Sequence, residues 1–584
     1  MQIANAHRLA AAMLLLGAAA AIGGAAPAAA AAGAEPAVHA RLLLRGGRVH
    51  AADGSVAEAV AVDARGYIIA VGRSVDLDRL RDATTRVMEL AGHAVLPGLD
   101  DQHVHPLFAG LRERECVIPQ GSTRPETQRR VRDCVTRAAP GAWITGGQWD
   151  APALGGVPDR AMLDAVAPDN PVLLDDTSGH STLANSRALA AAGITPATPD
   201  PPGGIIERDA AGKPTGVLRE DAAINLVRQH VPPPSVPAVR AALEWSLHEM
   251  LSQGVTSFTE ASVGFPTGAA KELDAYTSLA DAGVLKQRVR LCLNWEPGNA
   301  ATEDVIARRN FYARARVTPD CVKIFLDGVP TDSHTAAMVE PYAGTVAGRS
   351  DAASRNGLLL VQQDVLDQAV TRFDRMGLGV KFHAAGDAAV RAGLNAIEAA
   401  RRANGFGGHL HDVGHCTFVT RSDVRRARAI AATFEVSPYL WGPSPINDSI
   451  TAAVGDSRIE RVWPVREMID AGALVVAGSD WAVVPSVNPW IAVESLVTRE
   501  RPGGSTDAFG KAEAITLPEA LDLFTVNAAR HLGREGSLGR IAPGMIADMI
   551  VLDQDPYDVA VRSIHRTQVL TTIIAGEVVY ERRD

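Results

Sequence analysis

The chain has 584 residues and a net charge of −10, with 47% hydrophobic and 21% charged residues. That is the composition of a soluble enzyme, so disordered, collagen-like and multi-span membrane classes drop out. The acidic balance, with no basic block, also argues against a nucleic-acid partner, which would have to bind against the overall field.

From Leu9 to Gly33 no residue is charged, and the only charge upstream is Arg8. The short start, the apolar run 9–22 and the small residues 25–32 have the anatomy of a secretory leader, expected over residues 1–33. A membrane anchor is the competing reading, because about 25 uncharged residues just span a bilayer. The leader predicts export to the periplasm or beyond, with no membrane attachment after cleavage. Five cysteines are too few for a disulfide-built scaffold. Export makes a bridge between Cys116 and Cys134, in one polar stretch, the natural pair. Cys292, Cys321 and Cys416 lie in apolar runs and are read as buried reduced thiols.

Short β-like runs at 41–50, 59–63, 67–71 and 87–90 open the mature chain, and similar runs at 544–552, 569–574 and 577–580 close it. Neither end has enough strands to close a core, so residues 34–93 and 538–584 are expected to form one composite β-sandwich. Between them, strand-like runs alternate with helical stretches. Candidate strands fall at 94–99, 172–175, 254–259, 290–294, 322–326, 378–382, 412–415, 431–436 and 473–477. Nine candidates compete for eight places in an α/β (β/α)8 TIM barrel over residues 94–537. The proline-rich stretch 107–234, with a hairpin at 203–219, reads as an insertion after the first barrel strand, and 172–175 is assigned to it.

Five strand ends carry a metal-capable residue. His103 and His105 are two apart on a strand and point to one side, where two imidazoles can chelate one ion. Lys323 sits inside an apolar strand, where an unmodified ammonium is expensive. His383, His415 and Asp480 each follow an apolar run. A lone histidine at a strand end is usually just packed. Five successive strand ends in chain order are a different matter, because barrel enzymes build their sites there. Strand alternation leaves His409, His411 and His415 on one side, and His415 is chosen as nearest the C-terminal end. Cys321 shares a face with Lys323 and is an alternative soft ligand.

The segments Pro97-Gly-Leu-Asp-Asp-Gln-His-Val-His105, Gly179-His-Ser-Thr-Leu-Ala-Asn-Ser-Arg-Ala-Leu189, Gly212-Lys-Pro-Thr-Gly-Val-Leu-Arg-Glu220, Val322-Lys-Ile-Phe-Leu-Asp-Gly328, His383-Ala-Ala-Gly-Asp387 and Ser479-Asp-Trp481 resemble the amidohydrolase superfamily. The likeness is to its family 3 branch of N-substituted formamide deformylase-like enzymes, and covers essentially all of the chain after the leader. It implies one or two divalent metals, commonly zinc. His103, His105 and Asp480 would hold one, His383 and His415 the other, and Lys323, N6-carboxylated, would bridge them. One departure stands out: where relatives usually have His-Arg-x-Glu-His, this chain has His411-Asp-Val-Gly-His415, so the glutamate position is Gly414.

The expected function is therefore metal-dependent hydrolysis of a non-peptide, amide-type C–N bond in a small molecule. The ion would activate water, and Asp480 would move the proton to the leaving nitrogen. An esterase, lactonase or carbamate hydrolase on the same centre is the alternative, and a non-catalytic binding barrel the second. Trp149, His180, Asn185, Glu220, Asp327 and Trp481 are candidate substrate contacts by motif position, although Trp149 also suits a core and Asn185 a helix cap. A homodimer is the default for an oligomer.

Overall fold

The computed structural model describes residues 39–264, 268–343 and 355–583; the expected leader lies outside them. Eight parallel strands hydrogen-bond in chain order: β1 (Leu99–Val104), β2 (Val255–Val263), β3 (Arg288–Asn294), β4 (Val317–Phe325), β5 (Gly379–Ala384), β6 (His411–His415), β7 (Ala432–Val436) and β8 (Leu474–Ala477). Every residue of β1, β2, β5 and β7 is buried. These strands are covered on both faces, as in other parallel sheets, and the polar residues they carry, such as those of β1 (LDDQHV), are buried with them.

Closure falls beyond the end of β8. Asp480 N donates to His103 O at 2.6 Å and His105 N donates to Trp481 O at 2.6 Å. Gly478 permits this approach, since a Cβ there would lie 2.4 Å from His103 N. The expected first strand splits in two: Ala94–Pro97 belongs to the terminal sheet and the barrel begins at Leu99. Gly98 marks the switch, pressed against the Thr256 side chain where a Cβ would be 2.4 Å away.

Strands from both ends share one eight-stranded sheet, joined where Ala94–Pro97 pairs antiparallel with Met549–Leu552. Leu42, Leu44, Val60 and Val62 pack with Met549, Val551 and Ile573 in its core. Burying each such side chain contributes roughly 1.5–3 kcal/mol, and neither end has a partner face without the other. Between β1 and β2 stands a separate six-stranded sheet running from Cys116–Val117 to the hairpin Ile205–Arg208 and Pro214–Arg219; Val172–Asp176 is one of its strands. Among the described residues, no helix is long and apolar enough to cross a membrane.

Cys116 and Cys134 are bonded, tying the edge of the inserted sheet to the helix Arg124–Arg137. Cys292 and Cys321 are also bonded, which corrects the expectation of reduced thiols there. The cause is register: β3 and β4 place the two residues directly opposite each other. Cys321 is thus not available as a soft metal ligand, and Cys416 is the free, buried cysteine. Thiol titration in denaturant without reductant should find one reactive group per chain, rising to five after reduction; three or more before reduction would rule out this pairing.

Candidate metal centre

His103, His105, Lys323, His383, His415 and Asp480 all line one open cavity at the C-terminal ends of the barrel strands. His103 Nε2 and His105 Nε2 lie 3.7 and 3.5 Å from Asp480 Oδ1, and His415 Nδ1 lies 3.9 Å from Asp480 Oδ2. The ring of His415 is 4.7 Å from that of His103 and 4.5 Å from that of His383. Asp480 (φ 58°) and His415 (φ 68°) occupy the left-handed backbone region. Such conformations cost of order 1–3 kcal/mol in non-glycine residues and persist only where the surroundings enforce them.

Behind three of the four imidazoles stands a buried carboxylate. His103 Nδ1 contacts Glu435 Oε2 at 2.6 Å, His105 Nδ1 contacts Glu260 Oε1 at 3.1 Å, and His383 Nδ1 contacts Asp327 Oδ1 at 3.1 Å. Asp327 is itself fixed by the backbone N–H groups of Ala337, Ala385 and Gly386. A carboxylate at Nδ1 favours hydrogen on that nitrogen, and in a neutral ring this leaves Nε2 with its lone pair, the arrangement that metal-binding histidines show.

The electrostatics also suit a cation. Burial, with positive neighbours, holds His103 and His383 well below the usual imidazole range and His415 down at about 3, so these rings are uncharged donors. His105 is the exception: burial opposes its charge, yet Asp480 and Glu260 raise it to about 9. Positive charge is therefore drawn to the point where His105 meets Asp480. The donor atoms of His103, His105 and Asp480 lie within 4.8 Å of one another, close enough to share an ion. Lys323 is 1% exposed, with its ammonium 4.9 Å from the Phe325 ring. Burial and then Lys381 push it down to about 8.

The remaining sequence candidates divide. His180 lines the cavity, 5.0 Å from the His383 ring, with its Nδ1 2.8 Å from Glu220 Oε2. Glu220 and Asp327 stand behind histidines. Trp481 faces a second groove, where it meets Trp245 at 5.9 Å. Trp149 and Asn185 do not line the cavity and are structural. Trp149 Nε1 donates to Leu174 O and the ring packs in the inserted sheet's core. Asn185 caps the helix Ser186–Ala191 and also bonds Val172, Ala167 and Asn170. Of the other strand-six histidines, His411 binds Asp374 and Val380 N, and His409 lies near Asp320, so His415 alone of the three reaches the cavity.

Sequence reasoning missed Glu260 and Glu435, together with Lys381, which pairs with Asp412. The available signal was the one that singled out Lys323, a charge inside an apolar strand. The cavity's apolar wall is built by Phe108, Phe325, Trp441, Ile446, Ile450 and Trp463.

His180 carries a pH signature. Burial opposes its charge, but Glu220 outweighs this and raises it to about 9. A raised histidine adds stability that is full below its unfolded pKa, about 6.5, and lost as pH rises through the folded value. In metal-free protein, urea unfolding should therefore show wild type exceeding Glu220→Gln most below pH 6.5, with the gap closing above about pH 9; a gap independent of pH would refute the assignment.

Comparison with known proteins agrees with this geometry. The model of the amidohydrolase family (Amidohydro_3) matches residues 86–580. The Arabidopsis thaliana protein LONG AFTER FAR-RED 3 is 30% identical over 93% of this chain and 92% of its own length. The N-substituted formamide deformylase of Arthrobacter pascens is 29% identical over 90% of this chain and 96% of its own. A crystal structure of a metal-dependent hydrolase from Pyrococcus horikoshii shares the fold, with a TM-score of 0.68 at 22% identity over 89% of this chain and 99% of that one. The chain belongs to the amidohydrolase family of hydrolases.

Proposed function

We propose that the protein hydrolyses a non-peptide, amide-type C–N bond of a small molecule. The observation that carries this reading is the convergence of His103, His105, Lys323, His383, His415 and Asp480 on one cavity with an apolar wall. The likeness to an enzyme named for deformylating N-substituted formamides favours an amide over an ester.

His103, His105 and Asp480 would hold one divalent cation, with zinc suited to this nitrogen and oxygen donor set. His383 and His415 would hold a second. Lys323 would join them once its ammonium loses a proton and the neutral Nζ adds CO2 with loss of a second proton, which replaces a buried cation by anionic oxygen donors. A divalent cation held there supplies Lewis acidity, bringing the pKa of water from 15.7 to roughly 7 and polarising the scissile carbonyl.

The chain's own residues do the rest. Burial opposes ionisation of Asp480, but the His105 hydrogen bond and the neighbouring positive groups keep its carboxyl below the usual range, so it is an anion ready to accept a proton. It takes one from the attacking water and returns it to the leaving nitrogen, so that amide and water become carboxylic acid and amine. His180, whose Nδ1 is engaged by Glu220, offers Nε2–H to the carbonyl oxygen as negative charge develops there. The aromatic wall receives the apolar part of the substrate and excludes water.

Export through the leader is part of the same reading. Four of five cysteines are paired, which suits an oxidising compartment. No nucleic acid or membrane partner is invoked for the mature chain, and a homodimer is the expected assembly.

Two measurements test this. Chelator-stripped enzyme should be inactive on a panel of N-formyl and N-acyl amides and regain activity with zinc, while Asp480→Asn should lower kcat by about 10²–10⁴-fold. Turnover of esters or lactones alone would sink the C–N assignment, and no metal-dependent turnover at all would favour a binding protein. Separately, native mass spectrometry should find the added mass of one CO2, absent in Lys323→Met; a bare Lys323 in metal-loaded protein would point to a single ion.

A further inference from the structure

Gly414, on β6 between Val413 and His415, leaves a space that another strand fills. A Cβ at 414 would lie 2.7 Å from Glu435 Oε2 and 2.8 Å from Phe382 O, so no side chain fits there. Glu435 comes from β7 and is 0% exposed. Its Oε2 accepts from His103 Nδ1 at 2.6 Å, and its Oε1 accepts from Ser437 Oγ at 3.2 Å. Lys381 Nζ, on β5, stands 3.8 Å from the same Oε2 and supplies the opposite charge. Three neighbouring strands thus place one carboxylate directly behind one candidate ligand.

We propose that Glu435 is the positioning residue for His103, and that Gly414 is required because its missing side chain is the space this carboxylate occupies. The inference rests on the metal-dependent reading of the site and adds to it a role for a residue outside the ligand set. Accepting from Nδ1–H, Glu435 fixes the His103 tautomer and turns Nε2 toward Asp480.

A direct role as ligand is the rival, since His103, His415 and Glu435 also have donor atoms within 4.8 Å of one another. The short contact decides between them. Two donors on one tetrahedral zinc, each about 2.0–2.2 Å from it, stand roughly 3.4 Å apart, whereas Nδ1 and Oε2 are 2.6 Å apart. That is a charge-assisted hydrogen bond. The ion therefore belongs on the Nε2 side.

The test is metal binding without substrate. Metal-free wild type, Glu435→Gln, Gly414→Ala and the double variant are titrated with Zn²⁺ by calorimetry, with thermal unfolding of each metal-free protein as the control for folding. Cobalt-loaded samples report ligand geometry through their visible spectra. Glu435→Gln should bind the same number of ions about 10–100-fold more weakly, the usual cost of losing an orienting partner, with a shifted cobalt spectrum. Gly414→Ala, which removes no polar group, should reproduce the loss by displacing Glu435, and the double variant should be no weaker than the worse single one.

Affinity within twofold of wild type in Glu435→Gln overturns the proposal, and so does loss of one whole ion equivalent, which would make Glu435 a ligand. If Glu435→Gln does not fold, Gly414→Ala decides alone: weakened binding supports the proposal and wild-type binding overturns it. Wild type that takes up no metal would instead defeat the metal-dependent reading itself.

Discussion

A single carboxylate oxygen, Asp101 Oδ1, accepts from His103 N at 3.1 Å and from Ser479 N at 2.9 Å. One contact comes from the first barrel strand and the other from the segment leaving the eighth, so the seam of the barrel and the candidate metal centre are the same place. His103 and Asp480 each follow within a residue or two of this clamp. Their backbones are joined across the seam, and their side chains meet on its cavity side. The geometry of the candidate ligands is therefore only as rigid as barrel closure, and any change that opens the seam moves two of them at once.

Concentrating charge at a dry seam carries an energetic burden, which the surrounding strands offset. Glu435, Lys381, Asp412 and His531 are all nearly inaccessible to solvent. Lys381 is paired with Asp412 and near Glu435, and Asp412 is also near His531. Removing one partner of a buried pair typically costs about 3–5 kcal/mol, because the other charge is left uncompensated. These groups do not line the cavity, yet Glu435 contacts His103, and Lys381 adds to the burial that keeps that ring uncharged. The left-handed backbones of His415 and Asp480 are a second stored cost, and both fall on residues that present a donor atom to the cavity.

How much of this was legible follows from what each signal encodes. Seven barrel strands, β2 to β8, are readable from their apolar residues, and the six ligand candidates because each ends or interrupts an apolar run. The first is not, because the apolar run 94–99 is mostly the terminal-sheet strand Ala94–Pro97 and shares only Leu99 with β1. The Cys292–Cys321 bond depends on inter-strand register, which no local pattern reveals. Glu260 and Glu435 are in plain view in their strands, but their roles depend on which imidazole lies opposite. Asn185 shares a motif segment with His180, and motif position does not say which face of an element a side chain takes.

The shared terminal sheet has a further consequence for how the chain acquires its structure. The pairing of Ala94–Pro97 with Met549–Leu552 joins segments that lie far apart in the sequence, the second synthesised long after the first. Contacts of such sequence separation form late, after the entropy of closing the intervening chain has been met. Until the last strands arrive, Ala94–Pro97 presents an unpaired edge open to association with other chains. Gly98 links that edge directly to β1, the strand that bears His103 and His105. Maturation of the seam is thereby coupled to the arrival of Met549–Leu552, and loss of that strand would compromise the first strand of the barrel as well as the sheet it leaves.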